Sequence, residues 1–338
     1  MKNIVVIGGG TGTFVVLSGL KKYTQNLTAI VNMTDSGSST GILRDELGVL
    51  PPGDIRQCLV ALSNSDYLLR QLFNYRFTEG RLAGHNFGNL FLAALEKVTG
   101  SFEEAVKEAS NILSIYGKVI PVTTQNTHFC VKLADGQIIK GEQNVGQLDF
   151  IKQPIKQFFL EPRAVANPEA IKAIRRADII VIGPGDFYAS LIPIFLTKGI
   201  PEAITTAKAK KIYNCNLMTK SGQTDDYQVH DFVEIIEKYL GGPVLDFVIF
   251  NNKKPLPELI ARYAVQGEKF VQYTPEELRG RHYIAIPADL VGKKVWQKPA
   301  GDNLKKRTFI RHDQDKLAKL VLATGEMKEI LKVFRNKL

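Results

Sequence analysis

Short, unbroken apolar runs alternate with stretches of helical spacing along most of the chain. Asn3–Gly8, Leu27–Met33, Asp178–Ile182, Lys211–Leu217 and Leu245–Phe250 carry such runs, and His282–Pro287 is a weaker one. Continuous apolar strands between helices predict a parallel sheet covered on both faces. Thr13–Lys22, Ile55–Ser63, Leu90–Lys97, Ser101–Ile115, Glu169–Arg176, Val229–Leu240 and Pro255–Ala264 read as helices, with Asn167-Pro168 as cap and first-turn proline for one of them. Asp313–Phe334 is an amphipathic final helix with Gly325 as its weak point. Thr127–Glu142 breaks the alternation and predicts a β-hairpin turning at Asp135-Gly136. Gly141–Gln147 reads as a linker. The pattern predicts an α/β fold with a mostly parallel sheet. A small antiparallel hairpin insertion is expected at about 119–150 and a basic C-terminal helix at about 313–335.

Composition narrows this. A length of 338 residues fits one large α/β domain or two, and 44% hydrophobic with 23% charged residues is ordinary for a globular protein. No apolar stretch reaches the ~20 residues that span a bilayer, and the N-terminal apolar run ends too early for a signal peptide. Cys58, Cys130 and Cys215 lack metal-like spacing and read as reduced thiols, so a cytoplasmic location is expected. The net charge of +10 is concentrated at the end: Val291–Leu338 holds 13 Lys and Arg against 5 Asp and Glu. No nucleic-acid-binding motif accompanies that charge, so a solvated basic segment is expected and no nucleic-acid partner. A homo-oligomer is compatible with the sequence.

The candidate chemistry sits in the turns after the strands. Parallel sheets bind ligands beyond the carboxyl ends of their strands, where helix N-termini and loop amides favour anions. The first turn is Gly8-Gly9-Gly10-Thr11-Gly12-Thr13. It has more glycine than turning needs, which points to phosphate approaching the backbone of Gly9, Gly10, Thr11, Gly12 and Thr13. Thr13 stands where a dinucleotide fingerprint has its third glycine, and no Gly-Lys-Ser/Thr follows, so neither that fingerprint nor a Walker loop is present. An NAD-type oxidoreductase is therefore the weakest reading.

The second turn, Asn32–Gly41, offers the Asp35 carboxylate with Ser36, Gly37, Ser38 and Ser39. A ribose-binding acid, a metal ligand and a phosphate-cradling loop all fit it. The third, Leu50–Arg56, carries Asp54, either the cap of the next helix or a partner of Asp35, Arg44 and Arg56 at the same edge. The fourth, Gly84–Asn89, brings His85 and Asn89 to a helix start, where they either touch ligand or serve the fold. The fifth, Gly183-Pro184-Gly185-Asp186, repeats the logic of the first after the strand Ile179–Ile182. Near the end, a short β-like run at Thr308–Ile310 presents Arg311 and His312 at another strand-end turn. The planar fork of Arg311 suits a diphosphate, whereas Lys305 and Lys306 are expected to be solvated. Tyr263 either stacks on a base or packs against its own surface.

The segments GGGTGT, DSGSSTGILRDELGVLPPGDIRQCLVALS, LAGHNFGNL, VIGPGDFYASLIP and NCNLMTKSGQTDDY resemble the YvcK-type gluconeogenesis factors. These lie within the CofD (2-phospho-L-lactate transferase)-like superfamily. The resemblance covers nearly the whole chain. It implies a single CofD-like domain with a Rossmann-like three-layer α/β/α fold. It also implies a nucleotide or UDP-sugar ligand, UDP-N-acetylglucosamine in the YvcK branch, with roles in gluconeogenic growth, cell-wall precursor supply and regulation of cell shape. The transferase branch implies the alternative: transfer of a phospho-linked group from a nucleotide donor with a divalent cation such as Mg2+. Asp35 and Asp54 match that branch's acidic positions and would be its metal ligands. Members usually carry two adjacent acids in the second turn, whereas here Asp35-Ser36 leaves one, which favours binding over transfer.

Overall fold

The computed structural model describes residues 2–292 and 310–335. Ten strands are present among these: β1 (Ile4–Gly8), β2 (Leu27–Val31), β3 (Lys118–Pro121), β4 (His128–Leu133), β5 (Ile138–Lys140), β6 (Ile155–Glu161), β7 (Ile179–Ile182), β8 (Lys210–Asn214), β9 (Phe247–Asn251) and β10 (Ile284–Ala288). The helices before β7 are α1 (Gly10–Leu20), α2 (Ser38–Leu47), α3 (Gly53–Leu62), α4 (Tyr67–Asn74), α5 (Phe87–Thr99), α6 (Phe102–Ile112), α7 (Glu142–Val145) and α8 (Pro168–Arg176). After β7 come a π-helical turn (Phe187–Leu191), α9 (Ile192–Leu196), α10 (Ile200–Thr206), α11 (Val229–Leu240), α12 (Pro257–Ala264), α13 (Pro275–Leu278) and α14 (Gln314–Arg335).

Seven strands form one sheet in the order β10-β9-β8-β7-β1-β2-β3, and every pairing in it is parallel. The central strands β1 and β7 are buried along their whole length, which explains their unbroken apolar runs. Helices cover both sides: α1 packs on α3 and α14, while α8, α10 and α11 are neighbours in another layer. The three-layer α/β/α reading therefore holds.

The remaining strands form a three-stranded antiparallel sheet in the order β5-β4-β6. The expected hairpin is β4 and β5, turning at Gly136 with φ of 96°. The antiparallel strands span His128 to Glu161, and Lys118–Pro121 pairs with β2 at the edge of the large sheet. Strand β6 has only partial alternation of buried and exposed positions, which hides it from a pattern search. Among the described residues no helix is long and apolar enough to cross a membrane.

Candidate functional site

Strand order reverses between β1 and β7: the chain builds outward through β2 and β3 on one side and through β8, β9 and β10 on the other. The crevice beyond the carboxyl ends of these two neighbours is the place where open α/β sheets take ligands. Both glycine-rich turns, Gly8–Thr13 after β1 and Gly183–Asp186 after β7, fall there. They touch backbone to backbone, since a Cβ on Gly12 would lie 1.8 Å from the Pro184 carbonyl oxygen. Any side chain at Gly12 forces the turns apart.

Helix α1 begins at Gly10 with Gly9 at its cap, three residues before the expected start at Thr13. The glycine turn is thus the first turn of the helix, and Gly10 has φ of 63°, where a side chain is strained. Thr13 is fully buried, and its hydroxyl donates to the Gly9 carbonyl at 3.1 Å, so its side chain holds the turn's shape. The cap residue itself, Gly9, offers no side chain to the first amides of α1.

The turn after β2 folds back on itself. Asp35 accepts from the Gly37 amide at 2.9 Å and from the Thr40 hydroxyl, and the Arg44 guanidinium donates to the Asp35 carbonyl at 3.1 Å. Helix α3 starts against it, because a Cβ on Gly53 would lie 2.3 Å from an Asp35 carboxylate oxygen. Asp54 is not the cap of α3: the helix starts at Gly53, Pro52 takes the cap position, and no side chain caps it. Its carboxylate instead accepts from the Gly10 amide. A Cβ on Gly9 would fall 2.2 Å from Asp54 Oδ2, so the missing side chain there makes room for a carboxylate.

Two carboxylates thus meet at the glycine turn. Burial, then the charge of Asp35, pushes Asp54 up to about 8. Burial also raises Asp35, against the pull of its hydrogen bonds and of Arg44 and Arg56. Two further acids face the same space. Asp186 caps the π-helical turn through the Ala189 amide at 3.2 Å and pairs with Lys220 at 2.5 Å. Glu142, at the start of α7, is raised well above the usual carboxylate range by burial and by Asp35, Asp186 and Asp54. Its segment is fastened to the second turn by the Gln143 amide, which donates to the Ser36 hydroxyl at 3.1 Å. Sequence reasoning missed Glu142 and Lys220. The first sat in a segment read as a linker, and the second followed a strand with no glycine turn to mark it.

Arg56 and Asn89 support this arrangement from behind. Both are buried; Arg56 Nε donates to Asn89 Oδ1 at 2.9 Å, and Asn89 Nδ2 donates to the Thr40 hydroxyl at 3.4 Å. Asn86, not Asn89, caps α5. His85 Nδ1 lies 3.3 Å from the Ser39 hydroxyl, which joins the fourth turn to the second. Ser38 is exposed, with φ of 44°, at the mouth of the second turn. Gly185 is clasped by Asn216, whose Nδ2 donates to the Gly185 carbonyl at 2.8 Å.

Tyr263 is placed elsewhere. It is buried with Leu217, Leu259 and Ile310, and its hydroxyl accepts from the Ile310 amide at 3.2 Å. Its ring packs within the protein rather than standing free to stack. The neighbouring His312 is buried, with Nε2 3.1 Å from the Cys215 carbonyl, and burial lowers it to about 4. That contact brings the segment carrying Arg311 to the carboxyl end of β8. The Arg311 carbonyl accepts from Gly292 at 2.8 Å. Lys305, Lys306 and Thr308 lie outside the described residues.

Among the described residues, no three His, Cys, Asp or Glu side chains are grouped so as to hold a metal by themselves. The Asp35–Asp54 pair nevertheless fits a hard divalent cation. It presents oxygen donors only, and Mg2+ commonly takes one or two carboxylates and completes its shell with waters and ligand phosphates.

The fold and the paired turns define a Rossmann-like α/β protein with its candidate site at the topological switch point. Residues 4–291 match the family described as 2-phospho-L-lactate transferase CofD. The chain belongs to this family, within its gluconeogenesis-factor branch. It is 38% identical over 321 residues to the gluconeogenesis factor of Bacillus subtilis, covering 94% of this chain and 96% of that protein. The gluconeogenesis factor of Halalkalibacterium halodurans is 42% identical over 265 residues, 78% of this chain and 81% of that one. A crystal structure of a UPF0052 family protein from Bacillus halodurans superposes with a TM-score of 0.86 at 36% identity, covering 95% of this chain and 99% of that one.

Proposed function

We propose that this protein is a regulatory binder of a nucleotide-sugar, UDP-N-acetylglucosamine in the first instance, that links gluconeogenic growth to cell-wall precursor supply and cell shape. The observation that carries the reading is the pair of glycine turns in backbone contact at the switch point. Gly12 and Pro184 touch, and the cap residue of α1, Gly9, has no side chain to cover the helix start. A helix N-terminus opened in this way attracts phosphate through its amides and its dipole. In this reading Gly9, Gly10, Thr11 and Gly12 surround one phosphate, with Asp35–Ser39 and Gly183–Asp186 around it, and Arg311 closing the site. Isothermal calorimetry against UDP-N-acetylglucosamine, GDP and NAD tests it. Tight binding of the UDP-sugar supports the reading, and preference for NAD or no binding refutes it.

A second reading, a metal-dependent transferase, is favoured by the raised carboxyls of Asp35 and Asp54. Two acids held close enough to oppose each other's ionisation form a site that a cation would relieve. A bound Mg2+ would be held by Asp35 and Asp54 and would neutralise a diphosphate. The single acid of the second turn keeps binding ahead of transfer. Turnover of a nucleotide-linked donor that depends on divalent metal would reverse that order.

A further inference from the structure

A cavity of about 270 Å3 opens between β6, the π-helical turn and α11, and no residue of the glycine turns is among the described residues that line it. Phe150, Phe158, Tyr188, Tyr227 and Tyr239 supply aromatic walls. The rings are ordered rather than merely crowded. Phe158 stacks on Tyr188 with centroids 5.1 Å apart, and Phe150 meets Tyr188 edge-on at 5.0 Å. That size lies just below the ~300–1,000 Å3 range of small-molecule sites, which are typically aromatic-walled with a few placed polar groups.

The polar groups are chosen in one direction. Lys156 and Lys238 are exposed on the lining, and no carboxylate is among the described residues that line it. The hydroxyls of Tyr188 and Tyr227 lie 2.7 Å apart. Two phenols sharing one hydrogen bond keep a second O–H to donate outward. Burial raises both phenols, so both remain protonated donors near neutral pH. Gln223 also lines the cavity. It is 5% exposed, its Nε2 donates to the Val145 carbonyl at 3.0 Å, and its Oε1 is buried without a hydrogen-bond partner.

We infer that this cavity is a second ligand site, for a planar aromatic anion that stacks among the tyrosines and is held at the rim by Lys156 and Lys238. The inference does not depend on what the glycine turns bind. The probe is 8-anilinonaphthalene-1-sulfonate, followed by its fluorescence with folded protein, native folding being checked by near-ultraviolet circular dichroism. Saturable one-site binding is expected. Reversing both rim charges (Lys156→Glu with Lys238→Glu) should weaken it at least tenfold, and Tyr239→Ala should weaken it as well. The uncharged N-phenyl-1-naphthylamine should bind at least tenfold more weakly than the sulfonate. Lys172→Glu, on α8, should leave the affinity unchanged. Lack of saturable binding overturns the inference. So does wild-type affinity in the rim and Tyr239→Ala variants, or equal affinity for the two probes.

Discussion

Replacing Asp54 by Asn should remove a stability loss that the folded protein suffers as pH rises. Asp54 is 7% exposed, and its carboxyl is pushed up to about 8, first by burial and second by Asp35. In the unfolded chain it titrates near 3.9. Between those values the native state keeps a proton that the unfolded state has lost, so stability falls with rising pH. Below the lower value both states are protonated and there is no loss; above the upper one the loss is complete. Buried His312, lowered to about 4, works in the opposite sense below its unfolded value of about 6.5. The clean window is therefore pH 6.5 to 8. At 1.36 kcal/mol per unit, a single fully effective group loses up to about 2 kcal/mol across it. Urea unfolding at fixed ionic strength, without divalent metal, measures this. The wild type should lose stability across the window, and Asp54→Asn should show a shallower slope by up to that amount. Asp35 and Glu142 are raised as well, so some slope should remain in the variant. Parallel profiles for the two proteins would refute the buried pair.

Three further outcomes are expected. Gly10→Ala adds a Cβ whose nearest neighbour is Asp54 Oδ1 at 3.8 Å, so the protein should fold with a loss of about 1–2 kcal/mol from the left-handed backbone while UDP-N-acetylglucosamine affinity falls at least tenfold by calorimetry. Wild-type affinity in that folded variant counts against the pocket. A double-mutant cycle of Asp35→Asn and Asp54→Asn, read as Mg2+ affinity, should show coupling of about 1 kcal/mol or more, and additive losses would leave the two acids independent. Arg311→Lys keeps the charge and loses the fork, so nucleotide-sugar affinity should fall about tenfold, near 1.4 kcal/mol, whereas an unchanged affinity would remove Arg311 from the site.

Much of the central sheet was legible because burial on both faces writes itself as unbroken apolar runs. β1 and β7 are the plainest cases, and the glycine turns after them were readable as chemistry for the same reason. Their contact was not: only strand order brings Gly12 to Pro184, and strand order is not a local property of sequence. The same applies to Glu142. Its segment is rich in glycine, asparagine and glutamine and reads as a linker, yet it forms α7 and places an acid beside Asp35, Asp54 and Asp186. Asp54 followed two prolines and a glycine, which suggested a cap, but helix α3 starts two residues earlier than expected, at Gly53, and turns the carboxylate toward Gly10. Tyr263 stood between two readings. An aromatic at a helix end is readable as a stacking surface, and only the fold reveals that Leu217, Leu259 and Ile310 enclose it.

Hydrogen–deuterium exchange with and without UDP-N-acetylglucosamine tests the central claim most directly, because it reports where a ligand protects the backbone. The two glycine turns meet at the switch point, so peptides covering Gly8–Thr13 and Gly183–Asp186 should be protected together on adding ligand. The Gly10→Ala protein should lose both effects. Protection confined to other segments, or none at saturating ligand, would contradict the account.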